Sequence, residues 1–236
     1  IFRFLMPGLL GGRKEFENEL IADPEATAIL LRKQVTPFVL RRIKSEVAKE
    51  LPPKLENELP CILNDEQRKE YRQLTEGAIE QHGNNLQEAI KHAPTHVFSL
   101  LTRLRQVCCD LALLPWREGL PPTGSKGEIL LEKLTELTSS GTKIIVFSQF
   151  TSYLKILKNA ISKQIPDLQI LELTGSTRNR TLPVETFENA PGPTVILASL
   201  KAAGLGVTLK AADYVFLMDP WWNPAAEAQA SDRAHR

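Results

Sequence analysis

Three uninterrupted apolar stretches in the second half of the chain most constrain its fold. They occupy residues 144–147, 195–198 and 214–218, and a weaker stretch covers residues 168–173. A strand covered by helices on both faces has no polar face, so it carries a continuous apolar run rather than an alternating one. Leu154, Leu157 and Ile161 follow the first run at helical spacing, as expected of a helix that packs on a sheet. This alternation predicts a parallel sheet built from βαβ units.

The first half of the chain, to about residue 114, has the pattern of helices with breaks. Asn64 and Gln67 resemble a capping box, which predicts a helix start at this point. A second helix is predicted from residues that share one apolar stripe facing a partner helix: Phe98, Leu101, Leu104 and Arg105.

Residues 114–127 contain three prolines and three glycines, which predicts a linker between the two halves. We therefore expect an α/β protein with a mostly helical region at residues 1–122 and a parallel sheet flanked by helices at residues 123–236.

Composition excludes several classes of protein. The apolar runs are far shorter than the roughly 20 residues that cross a bilayer, and the N-terminus lacks the order of a signal peptide, so we expect an intracellular protein without a membrane partner. Cys61, Cys108 and Cys109 have the spacing of neither a zinc site nor a disulfide framework and are expected to be buried and reduced. The 29 Lys and Arg nearly balance the 28 Asp and Glu.

Local charge is less balanced between residues 29 and 54. Seven Lys and Arg residues face two glutamates there, a strip that suits either a phosphate backbone or a solvated helix face. The positive residues are Arg32, Lys33, Arg41, Arg42, Lys44, Lys49 and Lys54.

Polar and glycine-rich segments follow each predicted strand. Because open parallel sheets bind ligands at the carboxyl ends of their strands, these segments are candidates for phosphate contacts, although a glycine after a strand is often only a turn. The four segments are residues 148–150, 175–180, 199–206 and 219–224.

The last predicted helix opens with Asn223 as cap and Pro224 in its first turn, and runs to Arg236. Gln229, Arg233 and Arg236 are spaced by four and three residues and share one face. Two arginines on one face suit the spread negative charge of a transferring phosphoryl group, whereas a solvated surface is the alternative.

The features of a complete nucleotide site are missing from the pattern. The nearest match to a phosphate-binding loop, Gly119 to Gly124, is followed by Ser125 and Lys126 in the wrong order and follows no strand. No apolar strand ends in an acidic pair suited to magnesium. The sequence thus contains candidate arginines for stabilising a transferring phosphoryl group, but no candidate phosphate-binding loop.

Several segments together resemble the helicase motifs of the SWI/SNF family, in order and over essentially the whole chain. The resemblance rests on Leu40 to Val47 with Leu51 to Lys54, Phe4 to Gly11 in the style of bacterial members, Ser148 to Thr151, Gly175 to Thr177 with Arg180, Ser199 to Leu209, Asp219 to Pro224, and Gln229 to Arg236. Ala203 and Thr208 depart from the usual glycine and asparagine, and the chain stops before the usual Ile-Gly-Gln.

The resemblance implies a second RecA-like lobe preceded by helical insertions. It implies a catalytic role for Arg233 and Arg236 as arginine fingers, with Gln229 beside them, and contact with the nucleotide by Gly204, Gly206 and Asp232. It also implies DNA contacts by ten residues: Ser148, Gln149, Gly175, Ser176, Thr177, Arg180, Ser199, Lys201, Thr208 and Trp222. Of these, Trp222 lies where the family couples DNA contact to ATP hydrolysis.

The implied cofactor is ATP with Mg²⁺, held mainly by a first RecA-like lobe of the same parent chain that this sequence lacks. The implied partner is double-stranded DNA, and the implied location is the bacterial cytoplasm, at the nucleoid. The fragment alone is expected to be inactive. Two alternatives stay open: a non-catalytic DNA-binding or partner-docking module, and an RNA helicase lobe. The absence of Gly-x-Gly-x-x-Gly after the first strand argues against a Rossmann enzyme.

Overall fold

The computed structural model describes residues 2–40, 54–83, 86–119, 121–122, 124–203, 208–221 and 223–232. The chain divides into two compact units, residues 1–53 and 54–236. The predicted boundary between residues 122 and 123 stays a prediction, because this division separates units by compactness and not by type of structure. No helix of the described residues is long and apolar enough to cross a membrane.

The first unit is helical where it is described. Its helices are α1 (Phe2–Leu5), α2 (Arg13–Ala22) and α3 (Pro24–Val35), followed by a 3₁₀ turn at Thr36–Phe38. Asp23 caps α3, since its carboxylate accepts a hydrogen bond of 3.0 Å from the amide of Ala26. Of the predicted basic strip, Arg32 and Lys33 lie exposed in the last turn of α3, and residues 41–53 lie outside the described residues.

The second unit begins with helices and continues into the sheet. Its helices are α4 (Asp65–His82), α5 (Leu86–His92), α6 (Pro94–Cys109), α7 (Ser125–Thr138), α8 (Thr151–Gln164), α9 (Thr181–Asn189), α10 (Leu200–Ala203) and α11 (Pro224–Ser231), with 3₁₀ turns at Leu111–Leu113 and Pro115–Arg117. Its strands are β1 (Lys143–Ser148), β2 (Gln169–Leu173), β3 (Thr194–Ser199) and β4 (Tyr214–Leu217).

The sheet is parallel, with strand order β2-β3-β1-β4. Alternate residues of β1 face opposite sides: Ile144 and Val146 pack with Leu154 and Leu157 of α8, whereas Ile145 packs on the side of α9. Both sides of the two central strands are therefore buried, which explains their continuous apolar sequence. The predicted parallel sheet with flanking helices is confirmed.

Strand β4 departs from the expected cover on both faces. Tyr214 is 44% and Leu217 is 43% exposed at this edge of the described sheet. Its apolar composition resembles that of the central strands, so the sequence pattern alone did not distinguish a half-covered strand from a fully covered one.

Gln67 joins three helices of the second unit. Its side chain is fully buried; Oε1 accepts from the hydroxyl of Ser125 at 3.0 Å, and Nε2 donates to the carbonyl of Val107 at 2.7 Å. The predicted capping box is also present, with Asn64 Oδ1 accepting from the amide of Gln67 at 2.9 Å. A residue predicted as a local cap therefore also fixes α6 and α7 against α4.

Two local expectations need correction. Phe98 is predicted on the stripe of α6 that faces a partner helix, but it is 59% exposed, and the buried residues of this helix are Val97, Val107 and Cys109. The predicted linker at residues 114–127 contains the start of α7. Gly124 caps that helix, and a Cβ there would overlap the carbonyl oxygen of Cys109, so close packing explains this glycine.

Gln67→Ala should lower the free energy of unfolding by about 3 kcal/mol, because it leaves the Val107 carbonyl and the Ser125 donors without their buried partner. Gln73→Ala, on the exposed face of the same helix, is the matched control and should change it by less than about 0.5 kcal/mol. Urea denaturation of the chain measures both. Similar values for the two variants would show that Gln67 does not hold the helices together.

Candidate functional site

The carboxyl ends of the four strands meet at one edge of the sheet. Ser148 at the end of β1 is paired with Ser199 at the end of β3, and Phe147 is paired with Leu217 of β4. Leu173 of β2 is paired with Ala198 of β3. The polar segments that follow the strands are thereby brought to the same edge, as expected for a ligand-binding edge of an open parallel sheet.

A buried carboxyl group ties the segments after β1 and β4 together. Asp219 is 2% exposed, and its Oδ1 accepts a hydrogen bond of 2.5 Å from the hydroxyl of Ser148. The amide of Gln149 donates to the same carboxylate, at 3.1 Å to Oδ2. The Ser148 oxygen in turn accepts from the amide of Phe150 at 3.0 Å. Asp219 thus holds the turn after β1 in place.

Arg105 of α6 completes this arrangement from the helical side. Its Nη1 donates to Oε1 of Gln149 at 3.0 Å, its Nη2 donates to the carbonyl of Pro220, and Nη2 lies 3.7 Å from Oδ2 of Asp219. The guanidinium also lies 5.8 Å from the centre of the Phe150 ring. The side chain is only 16% exposed, so this ion pair is largely shielded from water.

Lys126 of α7 contacts the same region from a second helix. Its Nζ donates to the carbonyl of Met218 at 2.9 Å. We call this group of charged and polar contacts between two helices and two strand ends the junction. It consists of Arg105, Lys126, Gln149, Asp219 and Pro220.

Sequence reasoning missed Arg105 and Lys126 as site residues. The sequence predicts Arg105 among apolar residues on the stripe of α6, and a charged side chain on such a stripe is a signal that it has a buried partner. Lys126 lies in a predicted linker, where no hydrophobic period indicates a buried contact.

Burial dominates the electrostatics of the junction. Burial raises the pKa of Asp219, while the Ser148 hydroxyl, the Gln149 amide and the charges of Arg105 and Lys126 oppose this rise. Burial and the nearby Asp219 carboxylate also raise the pKa of Cys109 to about 12. Cys109 is therefore a buried neutral thiol, as expected, whereas Cys61 and Cys108 are only half-buried.

The segment after β2 presents polar groups to solvent. The Thr177 hydroxyl accepts from the amide of Thr174 at 3.0 Å, which shapes the turn. Gly175 and Ser176 are exposed at its tip, and Arg180 is half-buried at the start of α9. Of these predicted DNA-contacting residues, Gly175 and Ser176 are therefore the most accessible to a ligand.

The segment after β3 is only partly accessible. Ser199 is 5% exposed, and its hydroxyl accepts from the amide of Ala202 at 3.3 Å. Lys201 is exposed and Thr208 is half-buried. Gly204 and Gly206 lie outside the described residues, so their predicted contact with the nucleotide stays a prediction.

The predicted DNA contacts of Ser148 and Ser199 stay predictions, but the structure shows that neither hydroxyl is exposed. Both hydroxyls are buried and bonded within the protein, so in this structure neither side chain is presented to a ligand. The two serines shape the strand ends because a hydroxyl can bond the backbone of the following turn. Sequence position predicts that these residues lie at the strand-end edge of the sheet, but it does not show which side chains point outward.

Helix α11 begins as predicted. Asn223 Oδ1 accepts from the amide of Ala225 at 3.1 Å, and Glu227 accepts from the amide of Trp221 at 2.5 Å, which ties the preceding loop to the helix. Asp232 is exposed just after the helix. The side chain of Gln229 and the predicted residues Trp222, Arg233 and Arg236 lie outside the described residues.

Two family models match the chain. The SNF2-related domain matches residues 1–113, and the helicase conserved C-terminal domain matches residues 125–236. The chain belongs to the SWI2/SNF2 family. The family's two domains follow one another here in the order that the sequence motifs predicted.

Curated SWI2/SNF2 relatives extend well beyond the part matched here. An uncharacterized ATP-dependent helicase of Mycoplasma pneumoniae is 34% identical over 236 residues, which is 100% of this chain and 22% of that protein. A putative ATP-dependent helicase/translocase of Bacillus subtilis is 35% identical over 247 residues, which is 100% of this chain and 26% of that protein. The chain spans about a fifth to a quarter of their length.

Solved SWI2/SNF2 structures share the fold. The ATPase core of Sulfolobus solfataricus in complex with double-stranded DNA superposes with a TM-score of 0.65 at 30% identity, covering 99% of this chain and 50% of that one. The C-terminal domain of the Sulfolobus solfataricus ATPase gives 0.59 at 29% identity, covering 70% and 72%. The sheet is therefore that of the RecA-like ATPase core.

Ser148→Ala should lower the free energy of unfolding by about 2 kcal/mol, since it removes a donor from a buried carboxyl group. The Ser148 hydrogen bond lowers the pKa of Asp219, so its loss raises that pKa further. When the pKa of an acidic group is raised in the folded state, the free energy of unfolding declines as the pH rises through that pKa. The stability lost through Ser148→Ala should therefore be larger at about pH 8 than at about pH 5.

Urea denaturation at both pH values measures this effect. Ser139→Ala removes an exposed hydroxyl at the end of α7 and is the control, with an expected change of less than about 0.5 kcal/mol at either pH. A loss for Ser148→Ala that is equal at both pH values would contradict the role of the Asp219 charge.

Proposed function

We propose that this chain is the second RecA-like motor lobe, with its helical insertions, of an ATP-dependent translocase that moves along double-stranded DNA. The observation that carries the proposal is the edge of the sheet where four strand-end segments meet in a SWI2/SNF2 fold. The relatives are named as ATP-dependent helicases, and one solved neighbour is a complex with double-stranded DNA. Such a substrate places the protein's work at the bacterial nucleoid.

DNA contacts in this proposal come from the accessible residues of the strand-end edge. Lys201 and Arg180 supply positive charge, and the turn at Gly175, Ser176 and Thr177 supplies amides and hydroxyls. Groups of this kind bind phosphate oxygens and carry no information about base sequence. Binding should therefore be insensitive to sequence and weakened by salt. Thr208 and Trp222 complete the proposed track, whereas the side chain of Gln149 is bonded to Arg105 and its Nε2 is buried.

ATP hydrolysis in this proposal takes place between this lobe and a first RecA-like lobe of the parent chain. Arg233 and Arg236, with Gln229 beside them, stabilise the charge of the transferring phosphoryl group, and Gly204, Gly206 and Asp232 border the nucleotide. In this proposal Mg²⁺ and the phosphates are held mainly by the first lobe, and this lobe alone is inactive.

Arg233→Ala in the full-length protein should lower the DNA-stimulated ATPase rate about a thousandfold, because an arginine finger stabilises charge that develops only in the transition state. Arg68→Ala removes a mostly exposed guanidinium from α4 and is the control, with an unchanged rate expected. A rate for Arg233→Ala within about twofold of the wild type would exclude the finger assignment.

Lys201→Ala should weaken DNA binding to a similar extent on unrelated sequences and reduce the slope of log affinity against log salt by about one, because one phosphate contact is lost. Lys163→Ala, an exposed lysine at the end of α8, is the control and should leave the slope unchanged. Fluorescence anisotropy with duplexes at several salt concentrations measures both. An unaltered slope for Lys201→Ala would remove it from the track.

Two other functions give different results in the same assays. An RNA helicase would be stimulated more by RNA than by duplex DNA. A non-catalytic docking or DNA-binding module would show no ATP hydrolysis in the full-length protein, and its DNA affinity would not change with ATP.

A further inference from the structure

Two cations from different helices reach the loop after β4. Arg105 of α6 donates to the carbonyl of Pro220, and Lys126 of α7 donates to the carbonyl of Met218 at 2.9 Å. We propose that Arg105, supported by Lys126, is a positioning residue that fixes this loop and hence the start of α11, so that movement of the helical insertions is transmitted to the catalytic face of α11. This inference rests on the proposed motor function.

The geometry at Arg105 suits a single connecting side chain. Its planar guanidinium donates to Gln149 in the segment after β1 and to the carbonyl of Pro220 in the segment after β4, and the Asp219 carboxylate lies beside it. Nε2 of Gln149 is buried and has no hydrogen-bond partner among the described residues, so its contact with Arg105 orients this side chain. A lysine has one ammonium group and lacks the fork that reaches both acceptors.

The helices that carry the two cations are held together. Gln67 of α4 bonds the carbonyl of Val107, two residues after Arg105, and the hydroxyl of Ser125, next to Lys126. The two helices that carry Arg105 and Lys126 are therefore fixed to the same buried side chain, that of Gln67. A displacement of α4, α6 and α7 moves Arg105 and Lys126 together.

The other end of the connection is equally direct. The amide of Trp221, the residue after Pro220, donates to Glu227 of α11, and Asn223 caps the helix. Only a few residues thus separate the Arg105 contact from the helix that carries Gln229 and precedes Arg233. A shift of Pro220 displaces the N-terminal end of α11. Because a helix is stiff, it transmits such a displacement along its length.

The test uses the full-length protein with Arg105→Ala, Arg105→Lys and the control Arg103→Ala. Arg103 lies on the same helix and is also half-buried, but its contacts stay within the helical part: it donates to Gln106 at 3.0 Å and lies 5.7 Å from the centre of the Trp116 ring. Two readouts are measured: hydrogen exchange of the backbone amides of Met218, Asp219 and Trp221, which flank Pro220, and kcat and KM for ATP at saturating DNA.

We expect Arg105→Ala to speed exchange of these three amides about tenfold and to lower kcat by a similar factor with KM within about twofold of the wild type, since hydrogen bonds from a charged donor are lost. Arg105→Lys should recover part of both effects, because it keeps the charge without the fork. Arg103→Ala should leave both readouts near wild-type values.

Each contrary result is distinguishable. Unchanged exchange in Arg105→Ala, or an equal change in Arg103→Ala, would overturn the positioning role. Faster exchange with unchanged kcat would overturn the transmission to α11. A wild-type protein without DNA-stimulated hydrolysis would instead refute the proposed function, while the exchange data would still decide whether Arg105 positions the loop. Because Arg105→Lys preserves the charge beside Asp219, it keeps the test valid if Arg105→Ala does not fold.

Discussion

The second unit depends on the burial of one carboxyl group. Asp219 lies at the end of the sheet, and it is accommodated there by the Ser148 hydroxyl, the Gln149 amide and the Arg105 guanidinium. A buried charge that loses its partner costs several kcal/mol, so each of these groups keeps the others in place. The ends of β1 and β4 therefore cannot separate from each other, or from α6, without a large loss of stability.

A second buried polar residue gives the helical part its rigidity. Gln67 satisfies groups on α6 and α7 at once, and these helices carry Arg105 and Lys126 to the strand ends. Apolar contacts tolerate small sliding movements, whereas a hydrogen bond loses strength steeply with distance and angle. The helices and the strand ends are thus linked by directional contacts, so they move together more readily than they slide past one another.

Much of this fold was predictable because its signals are local. Continuous apolar runs marked β1 and β3, and the Asn64 and Gln67 pair marked the start of α4. Where the same signals were ambiguous, the predictions were wrong. The apolar run of β4 did not show that Tyr214 is exposed, and helical spacing did not show that Phe98 points to solvent, because periodicity reports composition and not which neighbours cover a face.

The sequence by itself determined the kinds of element, their order and the family, since hydrophobic period, caps and motif residues act over a few neighbouring positions. It also located the strand-end edge, because parallel strands place their carboxyl ends together. Only the tertiary structure decided that Ser148 and Ser199 are buried, and that Arg105 meets the carbonyl of Pro220, 115 residues further along the chain. Such pairings depend on how whole helices pack against the sheet, and no local pattern encodes that packing.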